Sequence, residues 1–127
     1  MGVATPEPSR TVLFVCAHGA YRSRLAAAFF NAVAPNGWRA ASAGLDPQES
    51  TSAAAVELAT NTVAERHLER ARPTALGDAG PVDRIVAIDC DVDGADRWDL
   101  AVGDIGPAQR DEIRARAEAL AAELSRG

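Results

Sequence analysis

Residues 12–24 read VLFVCAHGAYRSR, and no other stretch constrains the fold as much. Val12, Leu13, Phe14 and Val15 form an apolar run without alternation, the pattern of a strand buried on both faces, as in a parallel sheet. A short loop containing Gly19 follows, and from Ser23 apolar residues recur at helical spacing through Leu25, Ala26, Phe29, Phe30 and Val33. A buried strand that feeds a helix through a glycine-bearing loop makes an anion cradle. The N–H groups of the loop and of the first helical turn converge there without intrahelical acceptors.

The cradle carries a thiol, Cys16, at one end and a guanidinium, Arg22, at the other. A thiol among N–H dipoles and a fixed cation is expected to ionise well below its free value of about 8.5, and the thiolate is the nucleophile. Arg22 presents a planar fork to two oxygens of a tetrahedral oxyanion. Ser23 can donate its hydroxyl to the sulfur, which favours the thiolate and improves it as a leaving group in a second step. A lone Cys at a strand end is more often a small core hydrophobe. The Ser, the Gly, the apolar run and the following helix together favour the reactive reading.

A chain of 127 residues suits one domain with a real core. Residues 1–10 hold Pro6 and Pro8 and lack a basic-then-apolar signal pattern, so they read as a disordered lead-in to a domain over residues 11–127. No apolar run approaches the eighteen or so residues of a membrane span. Two cysteines, Cys16 and Cys90, offer neither a disulfide framework nor a zinc site, and a cytoplasmic location is the default expectation. The net charge is −5. Arginines interleave with acids rather than cluster, which argues against nucleic acid as a partner. The overall field repels a small dianion, so the local cradle must capture it.

Strands are expected at residues 11–15, 38–43, 84–88 and 98–102. Helices are expected at 23–34, at 52–60 with Ser50 or Thr51 as cap, and from Pro107 onward, where Ile113, Ala117, Leu120 and Leu124 form one apolar face. Residues 61–70 read as a further short helix with Val63 and Leu68 inward, and 77–81 as loop. Strands alternating with helices imply α/β architecture: a doubly wound, four-stranded parallel sheet with helices on both faces. Ligands bind at the carboxyl edge of such a sheet, so Cys16 and Cys90, each just past a strand, should share that edge.

With its C-x5-R-S loop after VLFV, the SAG turn at 42–44, the IVAIDC strand end, Trp98-Asp99-Leu100 and the DEIRARAEAL helix, the sequence resembles the low-molecular-weight protein tyrosine phosphatases and the arsenate reductases built on the same fold. The likeness runs over residues 12–124 and leans toward the reductase branch. It implies a cysteine–phosphate or cysteine–arsenate intermediate, with Cys16 as nucleophile, Arg22 as the oxyanion-binding arginine and Ser23 as the hydroxyl that stabilises the thiolate. Ala17, His18, Gly19, Ala20 and Tyr21 match the loop whose N–H groups bind the anion. No metal or organic cofactor is implied.

Three departures from the family pattern stand out. Gly19 replaces an Asn held in a left-handed conformation, which Gly reaches without steric cost. The usual Asp-Pro after the fourth strand, which carries the general acid, is missing; Asp104 is the nearest Asp in that loop, and helix entry is its competing role. The tyrosines that flank an aromatic phosphoester are missing too, since Tyr21 is the only one. A reductase instead needs a second thiol, either Cys90 or an external thiol reductant or redoxin. These residues leave three functions open: arsenate reductase, phosphomonoesterase, and a catalytically weakened oxyanion-binding module.

Overall fold

The computed structural model describes residues 10–126. The expected lead-in therefore falls, over residues 1–9, outside the described residues, while Arg10 already belongs to the first strand. The elements in chain order are β1 (Arg10–Cys16), α1 (Arg22–Ala32), β2 (Trp38–Gly44), α2 (Ala53–Ala59), β3 (Arg84–Ile88), β4 (Asp96–Trp98) and α3 (Pro107–Ser125). The strands form one sheet in the order β2-β1-β3-β4, with every pairing parallel. β1 thus lies inside the sheet, which is why its residues from Val12 to Cys16 are all buried and its sequence shows no alternation.

The two faces of β1 enter two cores. Val12, Phe14 and Cys16 join the larger one, built with Leu25, Phe29 and Phe30 of α1, Ala55 and Ala59 of α2, and Ile113, Ala117 and Leu120 of α3. Burying each large apolar side chain there contributes about 1.5–3 kcal/mol. Leu13 and Val15 join Ala43 in a smaller core, packed by Leu76, Ala79 and Val82 of the β2–β3 crossover and by Cys90 and Val92 after β3. Among the described residues, the helical element packed on that face is a single 3₁₀ turn, Leu76–Asp78.

Local expectations met the structure unevenly. Ser52, not Ser50 or Thr51, caps α2 by accepting the Ala54 N–H at 3.2 Å. Residues 61–70 hold one 3₁₀ turn, Glu65–His67; Leu68 is buried as expected, but Val63 is 47% exposed. The fourth strand lies earlier than residues 98–102, because Ile88 pairs with Trp98 at the end of β3. Beyond Trp98 side chains take the donors that would continue the ladder: Asp89 accepts the Leu100 N–H, and Glu112 accepts those of Ala101 and Val102. Asp99 therefore lies outside the strand. Among the described residues, no helix is long and apolar enough to cross a membrane.

Candidate active site

β1 ends at Cys16 and α1 begins at Arg22, so residues 17–21 must turn the chain from the sheet edge into the helix. The turn is held from outside, one carbonyl at a time. Leu45 N–H donates to Cys16 O at 3.1 Å, Asp46 N–H to Ala17 O at 2.8 Å, Gln48 N–H to His18 O at 3.2 Å and Ser52 N–H to Ala20 O at 3.1 Å. Arg24 Nε donates to Gly19 O at 3.0 Å, and Leu25 N–H to Tyr21 O at 2.9 Å. Every carbonyl from Cys16 through Tyr21 is thereby engaged on the outer side. In a tight loop that arrangement turns the N–H groups to the inner side, where an oxyanion would sit. Tyr21 gives α1 no side-chain cap, so the first-turn N–H groups remain available as well.

Gly19 has φ +66°, the left-handed region. It is also pressed against β2: a Cβ on Gly19 would lie 2.7 Å from Gly44 N, and one on Gly44 would lie 2.5 Å from His18 C. The two glycines let the cradle and the end of β2 touch backbone to backbone. Gly19 is therefore demanded here by packing as well as by conformation, a stronger constraint than the left-handed turn alone.

Inside the loop the Cys16 sulfur is buried, 3.1 Å from Ser23 Oγ and 3.4 Å from Ser23 N. Arg22 Nε makes no hydrogen bond among the described residues and lies 3.5 Å from Asp89 Oδ2. The Arg22 guanidinium also sits 5.9 Å from the centre of the Tyr21 ring. The Tyr21 hydroxyl is held above its usual pKa by burial, against the lowering effect of the Gly106 backbone and of Arg22 and Arg110. His18 is exposed, and its Nδ1 donates to Asp46 O at 3.0 Å, which fixes the tautomer. A cavity of about 150 Å³ opens on these groups, lined by Cys16, His18, Tyr21, Arg22, Gln48 and Ile105 among others.

The remaining sequence candidates fall elsewhere. Asp104 is exposed and does not line the cavity; its neighbour Ile105 does. Cys90 shares the carboxyl edge with Cys16, yet its sulfur donates to Val15 O at 3.5 Å and packs against the smaller core, while Cys16 belongs to the larger one. Burial, and then the negative charge of Cys16, push the Cys90 thiol above its ordinary pKa. We expect alkylation of Cys90 by iodoacetamide, followed by peptide mass mapping, to reach half its limiting rate only above the ordinary thiol value of about 8.5. A midpoint below that value would show that Cys90 is activated instead.

Two residues of the site lie outside the candidates drawn from the sequence. Arg24 is 2% exposed and, besides Gly19 O, donates to Thr51 Oγ1 and to Glu69 O, tying the cradle to the segments on either side of α2. The clue was available, because a helix apolar on every side from Leu25 to Phe30 leaves Arg24 no exposed face. Asp89 has φ +53°, an uncommon conformation that Asp tolerates; one carboxylate oxygen accepts the Leu100 N–H at 3.0 Å and the other faces Arg22. Asp89→Asn should lower kcat/KM for the oxyanion substrate about two- to fivefold, the size of a half-exposed ion pair. An unchanged value would deny Asp89 its part in positioning Arg22.

The comparisons with known proteins agree with this fold. The family model for low molecular weight phosphotyrosine protein phosphatase matches residues 11–97. A solved arsenate reductase from Archaeoglobus fulgidus is 31% identical, with a TM-score of 0.67 over 87% of this chain and 98% of that one. A thioredoxin-dependent arsenate reductase from Corynebacterium glutamicum is 23% identical with a TM-score of 0.70, covering 92% of this chain and 62% of that one. An arginine phosphatase from Geobacillus stearothermophilus is 22% identical with a TM-score of 0.65, covering 91% and 92%. No curated protein sequence matches significantly.

Proposed function

The chain belongs to the low molecular weight phosphotyrosine protein phosphatase family, whose enzymes work through a cysteine nucleophile, and from that premise we propose that it reduces arsenate. Cys16 attacks arsenic while Arg22 and the inward N–H groups hold the equatorial oxygens, and water leaves. An external thiolate then attacks the Cys16 sulfur. The arsenic–sulfur electron pair stays on arsenic, which departs as arsenite, and a mixed disulfide remains on Cys16. A second external thiol reduces that disulfide and restores the enzyme.

The observation that carries this reading is the cavity lining. Among the described residues no Asp or Glu lines the cavity at Cys16, and the residue contributed by the loop after β4 is Ile105. The carboxylate of Asp89 is occupied by Arg22 and the Leu100 N–H. An alkoxide or phenoxide leaving group would find no acid there, a loss worth about 10²–10⁴-fold. Arsenate exchanges its hydroxyl groups with thiols far more readily than phosphate esters exchange theirs, and so depends less on such an acid. The opposite-face packing of Cys90 favours an external thiol as the reductant.

Arsenite formation from arsenate is the test, run with a monothiol, a dithiol and a thioredoxin system, with Cys16→Ser as the blank. We expect turnover with at least one of them, and with Cys90→Ser a rate within about threefold of wild type; no arsenite with any thiol would refute the reading. The family model also favours phosphomonoester hydrolysis as a second reading. Fast, vanadate-inhibited hydrolysis of an aryl phosphate without arsenate reduction would select it.

A further inference from the structure

A second cavity, of about 250 Å³, lies on the other side of the cradle loop, between α1, the outer strand β2 and the segment after α2. Arg24, Arg39 and Arg72 line it, together with Ser42, His67 and Glu69. Arg24 is buried at 2% exposure; its Nε and Nη1 are committed to Gly19 O, Thr51 and Glu69 O, and its Nη2 has no hydrogen-bond partner among the described residues. Neither Arg39 nor Arg72 has a carboxylate within 4.0 Å among the described residues, although six other arginines do. The one acid present, Glu69, accepts the Ala71 N–H through Oε1 at 2.8 Å. Three guanidinium groups thus face one carboxylate in a chain whose net charge is −5.

We propose that this cavity is a second anion site, which takes a tetrahedral dianion, either inorganic phosphate or the phosphate of a small phosphomonoester. Guanidinium forks match two oxygens of such a group, and a partly enclosed concavity strengthens each charged hydrogen bond. Arg24 lines the cavity and also holds the Gly19 carbonyl. An occupant therefore reaches the residue that shapes the cradle without entering the cradle itself. Its volume exceeds that of the cavity at Cys16, which leaves room for an organic group on the phosphate.

Amide chemical shifts of the full chain, titrated separately with inorganic phosphate and with ribose 5-phosphate, test the proposal. Amides of residues 40–42, 72 and 74 report on the second cavity, and those of residues 17–22 on the cradle. Both sets should shift saturably with at least one probe. Arg39→Gln/Arg72→Gln should weaken the response at 40–42, 72 and 74 about tenfold or more and spare 17–22. Arg22→Ala should do the reverse, so failure of either site is visible by itself. Similar affinities for the two probes would make the free ion the ligand, and tighter ribose 5-phosphate binding would make it a phosphomonoester. Silence at residues 40–42, 72 and 74 with both probes, or a response there that survives Arg39→Gln/Arg72→Gln, would overturn the proposal.

Discussion

Replacing Cys16 by Ser should abolish turnover, by on the order of 10⁴-fold or more, while leaving the oxyanion bound. The two halves of this result have separate causes. Attack on the oxyanion needs a thiolate, and a serine hydroxyl in the same place stays protonated. Binding needs the inward N–H groups and Arg22, and these are set by the outer hydrogen bonds to the carbonyls of residues 16–21, none of which passes through the sulfur. Arsenite formation measured beside calorimetric phosphate binding separates the two. Residual turnover above about one part in a hundred would mean that Cys16 is not the nucleophile, and loss of phosphate binding would mean that the cradle depends on the sulfur.

The second large effect is expected from a single methyl group. Gly19→Ala would place a Cβ 2.7 Å from Gly44 N and 2.9 Å from Ala43 C, both backbone atoms of β2 that cannot rotate away. The same residue must hold φ +66°. The left-handed conformation costs a residue with Cβ about 1–2 kcal/mol, and overpacking adds about 1–3 kcal/mol. Denaturant unfolding should therefore show a loss of about 2–5 kcal/mol, with turnover falling as the loop moves. Gly77→Ala is the control: a Cβ there meets nothing within 4 Å, and stability should change by less than about 0.5 kcal/mol. Equal effects at the two positions would contradict the backbone contact between the cradle and β2.

These two predictions also mark how far the sequence could be read. The strand ending at Cys16 and the helix starting near Arg22 were legible because an unbroken apolar run and a 3.6-residue period are local signals. The sheet edge shared by Cys16 and Cys90 followed from strand–helix alternation. Which way each sulfur points did not, because side-chain direction depends on the register of β1 and on the turn after β3. Four of the six outer hydrogen bonds of the cradle come from residues 45–52, more than twenty positions away, and no periodicity encodes them. The fourth strand is expected at residues 98–102, but the ladder stops at Trp98 before Leu100 and Val102. Their N–H groups are instead taken by Asp89 and Glu112, a competition between side chain and ladder that pattern alone cannot reveal.

Ile105 and Asp104 make the same point at the scale of one residue. Asp104 and Ile105 are both exposed, but Ile105 lines the cavity at Cys16 and Asp104 does not. That single offset separates a loop with an acid over the substrate from one without, and it favours a substrate that can do without the acid.

The most direct measurement is a single turnover with arsenate and a monothiol such as glutathione, quenched by acid and followed by peptide mass mapping of both cysteines. The expected result is an arsenate-dependent mixed disulfide between the monothiol and Cys16, with Cys90 left as a free thiol. A Cys16–Cys90 disulfide, or a Cys16 that stays unmodified while arsenite forms, would contradict it.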